Sequence, residues 1–227
     1  MPPVLQVRDL DVELDGAPLV SGVSFELHPG TITGLYGDSG CGKTTLALAL
    51  MRLLAEDRYQ VRGSVQLNGR NVLSRSVREL ESMRGAEISM IFQDPLLALN
   101  PVMRVRTQVE EVLRAHRKNG SAAELFELVG LPSDGRILNA YPHQLSGGER
   151  QRVTIAQALA CRPQVVIADE PFTALDVIRI VELAALFRKL LVDTGVAFFL
   201  ISHNPAVLKA LAGTVLQMER GQVCRAA

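Results

Sequence analysis

No sign of charge dominates this sequence. Lysines and arginines number 24 and aspartates and glutamates 24, so the formal charge at neutral pH is zero. A dedicated nucleic-acid binder needs a basic patch or stripe, and the composition supplies none, so any phosphate contact has to be local. Cysteine is scarce: Cys41, Cys161 and Cys224 lie too far apart for a CxxC-type metal site, and their odd number argues against a disulfide framework, which fits a reducing cytoplasm. Long apolar runs are missing as well. Stretches such as VAFFLI (196–201) fall short of the ~20 residues that a membrane span requires, and no basic-then-apolar leader opens the chain. Internal repeats and low-complexity segments are absent. The expectation is a chain soluble by itself, its 227 residues enough to bury a sizeable core as one domain.

What is there has a clear order. Residues 4–14 (VLQVRDLDVEL) and 19–27 (LVSGVSFEL) alternate apolar and polar around the turn residues Asp15 and Gly16, the pattern of half-buried antiparallel strands. TITGLY (31–36) reads instead as a short buried strand that runs into a glycine-rich turn and then into a helix over TTLALALMRLL (44–54). A hairpin-like VRGSVQLNG (61–69) and an apolar strand EISMIF (87–92) follow. From about residue 94 to 160 the pattern predicts helices and loops punctuated by Asn100-Pro101, Gly130 to Gly135 and Tyr141-Pro142. Sheet character returns with QVVIAD (164–169) and VAFFLI (196–201), near-continuous apolar runs suited to parallel strands buried on both faces, with the helical IVELAALFRKLL (180–191) between them. The predicted class is α/β, with a core of about 1–93 and 161–227 and a helical subdomain inserted at about 94–160.

Residues 37–44, GDSGCGKT, match GxxxxGK[ST] and sit after a strand and before a helix, where that motif works. Glycines let successive N–H groups point into one concavity, and the helix start adds roughly half a positive charge, so the loop suits phosphate. Lys43 is placed to reach the β- and γ-phosphates and the Thr44 hydroxyl to ligate Mg²⁺. Cys41 reads as a small filler in this loop, since no base is near it in sequence. A second strand, QVVIADE, ends in Asp169 and Glu170. Acids at the C-terminal end of a buried strand are costly unless used, and that end is where α/β sheets bind ligands. Asp169 is the candidate Mg²⁺ acid and Glu170 the candidate base for the attacking water. His203, past the strand VAFFLIS, converges on the same sheet edge and is a candidate γ-phosphate contact, whereas His28, His116 and His143 read as surface residues. Ser146 in LSGGERQR (145–152) is a plausible N-cap of the helix that follows, so this turn too offers N–H groups to an anion.

Taken together, these residues resemble the nucleotide-binding subunit of an ATP-binding-cassette (ABC) transporter, from about Val4 to Val223. The family's elements occur in order: the phosphate loop, Gln93 as the Q-loop glutamine, LSGGERQ (145–151) as the signature, VVIADE (165–170) as Walker B, ALD (174–176) as the D-loop and His203 as the switch histidine. The resemblance implies a P-loop NTPase (RecA-like) core with an antiparallel β subdomain and a helical signature subdomain. It implies ATP and Mg²⁺ as cofactors. Gly37, Asp38, Ser39, Gly40, Cys41, Gly42, Lys43, Thr44 and Thr45 would surround the nucleotide's phosphates, while Thr44, Gln93 and Asp169 would face the metal. Lys43, Gln93, Glu170 and His203 would carry catalysis. Ser146, Gly147 and Gly148 would bind the γ-phosphate of ATP held by the opposite subunit, and Asp176 would communicate across that dimer.

FQDPLLALNPVMRV (92–105) and YPHQLSGGERQRV (141–153) are similar to the peptide and nickel importer branch. That implies two membrane permeases, a second ATPase subunit that is either a copy or a paralogue, a substrate-binding protein acting indirectly, no nucleic acid, and a peripheral position on the cytoplasmic face of the inner membrane. Residues 93–109 would receive the permease's coupling helix. The alternatives are a soluble ABC ATPase of DNA repair or translation, and an ABC-like assembly subunit of the carbon–phosphorus lyase kind. Two features depart from the branch. Leu14 aligns where family members usually carry an aromatic that stacks on adenine, and the chain ends 24 residues after His203, which predicts no accessory C-terminal domain.

Overall fold

The structure is a computed structural model that describes residues 2–225. Two sheets organise it. The first is antiparallel, in the order β2-β1-β4-β5, and is built from β1 (Leu5–Leu14), β2 (Ala17–Leu27), β4 (Tyr59–Leu67) and β5 (Arg70–Asn71). The predicted hairpin is the β4–β5 corner. Asn68 and Gly69 both adopt positive φ, 52° and 74°, as the tight turns that match strand twist require. The second sheet runs β10-β9-β3-β8-β7-β6, from β3 (Ile32–Gly37), β6 (Ile88–Ile91), β7 (Val165–Asp169), β8 (Ala197–Ile201), β9 (Thr214–Glu219) and β10 (Gln222–Arg225). All its pairs are parallel except the edge pair of β9 and β10.

The buried strands explain the two-layer core. Successive side chains of a strand point to opposite faces. Val165, Ile167, Phe199 and Ile201 accordingly join the core under the antiparallel sheet and helix α1 (Lys43–Leu50), whereas Val166, Ala168, Phe198 and Leu200 join the core on the other face. Phe25 stacks on Phe199 with ring centroids 5.0 Å apart, and Phe187 meets Phe198 edge-on at 5.1 Å. Apolar runs without alternation are thus what a central strand covered on both sides demands.

Only helices lie between β6 and β7: α3 (Pro95–Ala98), α4 (Val105–Ala115), α5 (Ala122–Leu128), α6 (Gly135–Leu138) and α7 (Gly147–Leu159). Beyond β7 come α8 (Val177–Thr194), which ends on Gly195 in the left-handed conformation, and α9 (Pro205–Leu211). Helix α2 (Val77–Met83) precedes β6 and starts with a capping box of Ser76 and Glu79, a pattern legible in the sequence but absent from the reading above.

One helix is shorter than its pattern predicts. Helix α1 stops at Leu50 instead of running to residue 54, because Arg52 turns left-handed (φ 51°) and Leu53 N–H returns to the Leu48 carbonyl. The freed carbonyls of Met51 and Arg52 are taken by the Arg84 guanidinium, a long-range partner that local pattern cannot reveal. The cysteines are unpaired: Cys41 is half-buried, Cys161 buried and Cys224 exposed. Among the described residues, no helix is long and apolar enough to cross a membrane.

Candidate functional site

Strand β3 passes the chain to α1 through a loop that only small residues allow. Gly42, the N-cap of α1, has φ 108°, and a Cβ there would come within 2.9 Å of the Leu19 carbonyl oxygen. Lys43 opens the helix and is 7% exposed. Its ammonium donates to the carbonyls of Gly37 and Asp38, both at 2.8 Å. Both acceptors are neutral, so the charge sits in the centre of the loop still available to an anion. Cys41 Sγ lies 3.9 Å from the same nitrogen, a packing position.

Strands β7 and β8 bring the acids and the histidine to this loop. Asp169, 4% exposed, accepts from the Thr44 hydroxyl at 2.8 Å through Oδ2, while its Oδ1 is buried and has no partner. Burial pushes its carboxyl above the ordinary range and the neighbouring Glu170 adds to this, against the lowering effect of Thr44 and Lys43. An orphaned carboxylate oxygen beside a threonine hydroxyl is an oxygen donor set of the kind that holds Mg²⁺ through few protein ligands, and the residues present fit that ion. Glu170 has φ 51°, and its Oε2 meets His203 Nδ1 at 2.8 Å and the Thr173 hydroxyl at 3.1 Å. Gln93 is exposed just after β6. Lys43, Thr44, Gln93, Glu170, Thr173 and His203 line one cleft of about 420 Å³. The structure therefore gathers Lys43, Thr44, Gln93, Glu170 and His203 from the ends of β3, β6, β7 and β8 into this cleft, while Asp169 lines an adjoining cavity with Thr44 and Gln93.

The signature turn is not part of that cleft. Ser146 caps α7 as predicted: its hydroxyl accepts from Glu149 N–H at 3.3 Å, and Glu149 accepts from Ser146 N–H at 2.8 Å. The Arg136 guanidinium bonds the other Glu149 oxygen at 2.8 Å, and this pair holds the Glu149 carboxyl down to about 2, helped by the Ser146 N–H. The first helical N–H groups, those of Gly147 and Gly148, have no intrahelical acceptor. Ser146 and Gly148 line a separate cavity of about 280 Å³ with Arg179, and no residue lines both it and the cleft. Asp176 caps α8, accepting from Arg179 N–H at 2.9 Å.

Leu14 stands at the end of β1 opposite Ala17 and Tyr59, and the aliphatic wall of the cleft is Leu19 rather than Leu14. The remaining histidines lie away from the cleft: His143 is exposed and stacks on Tyr141, His28 pairs with Glu26, and His116 abuts Gly85. Sequence reasoning missed Thr173 and Gln151. Thr173 carries no motif signal. Gln151 does stand inside the signature string, and its spacing places it one turn after Gly147 on the same face of α7.

A family model described as ABC transporter matches residues 20–173, which span the phosphate loop, the signature and Walker B. The chain belongs to the ABC transporter family. The oligopeptide transport ATP-binding protein OppD of Escherichia coli (strain K12) is 43% identical over 230 residues, covering 96% of this chain and 68% of the relative. The dipeptide transport ATP-binding protein DppD of Bacillus subtilis (strain 168) is 39% identical over 234 residues, covering 98% and 70%. Among solved structures, the ATP-binding cassette MJ0796, in a dimeric post-hydrolysis state bound to ADP and phosphate, superposes with a TM-score of 0.82 at 25% identity over 96% of each chain. This ABC ATPase thus binds and hydrolyses ATP on a P-loop NTPase fold.

Proposed function

We propose that this ABC ATPase is the motor subunit of a peptide importer, peripheral to the cytoplasmic face of the membrane, and that it works as a dimer, of two copies or of two paralogues, around two Mg²⁺-ATP. The observation that carries the reading is the convergence of Lys43, Thr44, Gln93, Glu170 and His203 on one cleft, with the signature turn facing a different cavity. Two half-sites on separate surfaces of one chain suit a ligand shared between two chains. The apolar strip of Val177, Ile178 and Val181, exposed beside Asp176, suits burial in the same contact.

In this reading the loop N–H groups and Lys43 hold the β- and γ-phosphates. Thr44, Asp169 and Gln93 would hold Mg²⁺, which supplies charge neutralisation on the transferring phosphoryl group. Glu170 takes the proton of the attacking water, and His203 holds the Glu170 carboxylate and faces the γ-phosphate. Ser146, Gly147 and Gly148 close over the partner's nucleotide. The separation of the helices between β6 and β7 as a signature subdomain over about 94–160 belongs to the same proposal. Phe92 and Leu97, exposed on a cavity of about 990 Å³ around Gln93, with Leu96 exposed next to Leu97 in the chain, suit a permease's coupling helix. Similarity to OppD and DppD supports peptide as the cargo.

The test is Glu170→Gln. Nucleotide affinity stays, because loop and metal contacts persist, while turnover falls by ~10²–10⁴, the worth of a positioned base. An ATP-stabilised dimer then elutes early in size-exclusion chromatography. Turnover within about threefold of the parent, against that expected range, assigns the base elsewhere.

A further inference from the structure

We infer that Gln151 is a positioning residue for Glu170, and that through it the signature turn is tied to the general base of its own subunit. The inference rests on the reading above of Glu170 as base and of Ser146–Gly148 as the trans phosphate contact.

Gln151 is 8% exposed, and its side-chain amide donates to the carbonyl of Pro171, the residue directly after Glu170. A buried carboxamide demands such a partner. Proline has no N–H, so Pro171 itself can be held through its backbone only at the carbonyl. What it holds is unusual: Glu170 is a non-glycine residue in the left-handed region, a conformation that persists only where its surroundings determine it. One determinant is the sheet, through Glu170 N–H on the Ile201 carbonyl at 2.9 Å. Thr173 N–H on the Glu170 carbonyl at 3.2 Å and the Thr173 and His203 donors on Oε2 hold Glu170 locally. A further determinant, from outside the turn, is Gln151 on helix α7, whose first residue Gly147 lies one turn away, about 6 Å along the axis at 1.5 Å per residue. Helix α7 is continuous between the two points. A rotation or shift of α7 when an anion seats on its first N–H groups therefore pulls on the Pro171 carbonyl and re-aims the Glu170 carboxylate. One subunit's base is thereby made to respond to the nucleotide held by the other.

The experiment replaces Gln151 with methionine, close in size but without a donor, in the full chain beside the parent and Glu170→Gln. ATP affinity, the thermal midpoint, kcat, KM and the Hill coefficient for ATP are measured on each. The expected result is a kcat lower by up to about 10²-fold, the usual cost of misplacing a catalytic group by about 1 Å. KM and ATP affinity stay unchanged, the thermal midpoint falls by a few degrees at most because the buried Pro171 carbonyl loses its donor, and the Hill coefficient falls towards one. Gln151→Leu, which also lacks the donor and buries no charge, gives the same pattern and serves if the methionine variant does not fold. An unchanged kcat and Hill coefficient overturns the inference, and so does a kcat that falls only in step with affinity and thermal midpoint, which is the signature of a packing role. Glu170→Gln separates the two levels: if it keeps its turnover the reading of the base has failed, whereas if it is inactive and Gln151→Met is normal, only the tie through Gln151 has.

Discussion

Glu170 Oε2 is a point of convergence: His203 Nδ1 lies 2.8 Å from it, the His203 N–H donates to it at 3.3 Å and the Thr173 hydroxyl at 3.1 Å. A carboxylate acceptor fixes the Nδ1–H tautomer of His203 and turns Nε2 away from Glu170. It also leaves Oε1 as the oxygen open to a water. Histidine and base are in this way one unit, although they come from different strands.

His203→Ala removes one of three donors and leaves the other two. Glu170 therefore keeps its place only in part, and the expected turnover loss is about 10-fold to 10²-fold, less than that of Glu170→Gln. ATP affinity stays, since Lys43 and the loop are untouched. Steady-state kinetics on both variants check the order, and a His203→Ala as inactive as Glu170→Gln would show that the imidazole has a duty of its own on the phosphate.

Much of this site was legible because its residues are local in sequence: the phosphate loop, the paired acids and the signature are each a contiguous string, and each lies where its motif requires. What escaped is tertiary. Strand β9 (TVLQME) carries no motif, yet it inserts beside β3, and its Met218 carbonyl presses on the start of the phosphate loop. The Gln151 contact with Pro171 and the cap that Arg84 places over α1 join residues 20 and more apart. Helix α1 looked longer than it is because Leu53 and Leu54 continue an apolar pattern that serves a turn instead.

That contact with β9 makes Gly37 a test of packing. A Cβ on Gly37 would stand 2.2 Å from the Met218 carbonyl oxygen and 2.8 Å from Cys41 Sγ. Backbone cannot rotate away as a side chain can. Gly37→Ala should cost about 1–3 kcal/mol, as overpacking does, lowering the thermal midpoint by roughly 2–4 °C for each of those. It should also weaken ATP binding, because β3 and the loop move together. Calorimetry and nucleotide titration give both readings, and a variant with both unchanged would mean that β9 yields freely.

The signature cap gives a pH dependence of definite sign. The Arg136 guanidinium holds the Glu149 carboxyl down to about 2 in the folded chain, from an ordinary glutamate value of 4.5. A depressed acid contributes stability that is present above the unfolded value and lost as pH falls through the folded one. Glu149→Gln keeps an acceptor for Ser146 N–H but gives up the charge on Arg136, so it should be less stable than the parent at pH 7. That difference should shrink on acidification through the window from about 4.5 to about 2. Thermal midpoints of both proteins across this range decide it, and a gap that stays constant with pH would assign the loss to the cap's shape instead of its charge.

Asp169 should reveal a site that is stabilising only when loaded. Its carboxylate is 4% exposed, with one oxygen on Thr44 and the other without a partner, and Glu170 adds a like charge next to it. A buried charge left unsatisfied is expensive, whereas a neutral amide of the same shape is less so. Asp169→Asn retains an acceptor for the Thr44 hydroxyl and removes the charge. The nucleotide-free variant should therefore melt higher than the parent, by the equivalent of about 1–2 kcal/mol. With Mg²⁺-ATP the order should reverse, because the parent gains the metal's binding energy and the variant does not. ATPase activity should fall at least ~10²-fold, as befits the loss of charge stabilisation on a phosphoryl group. Paired melts with and without Mg²⁺-ATP test both halves together. A variant that melts lower than the parent in both conditions would show that Asp169 is needed for the fold itself, through its bond to Thr44, and that its unpartnered oxygen is not a place kept for an ion.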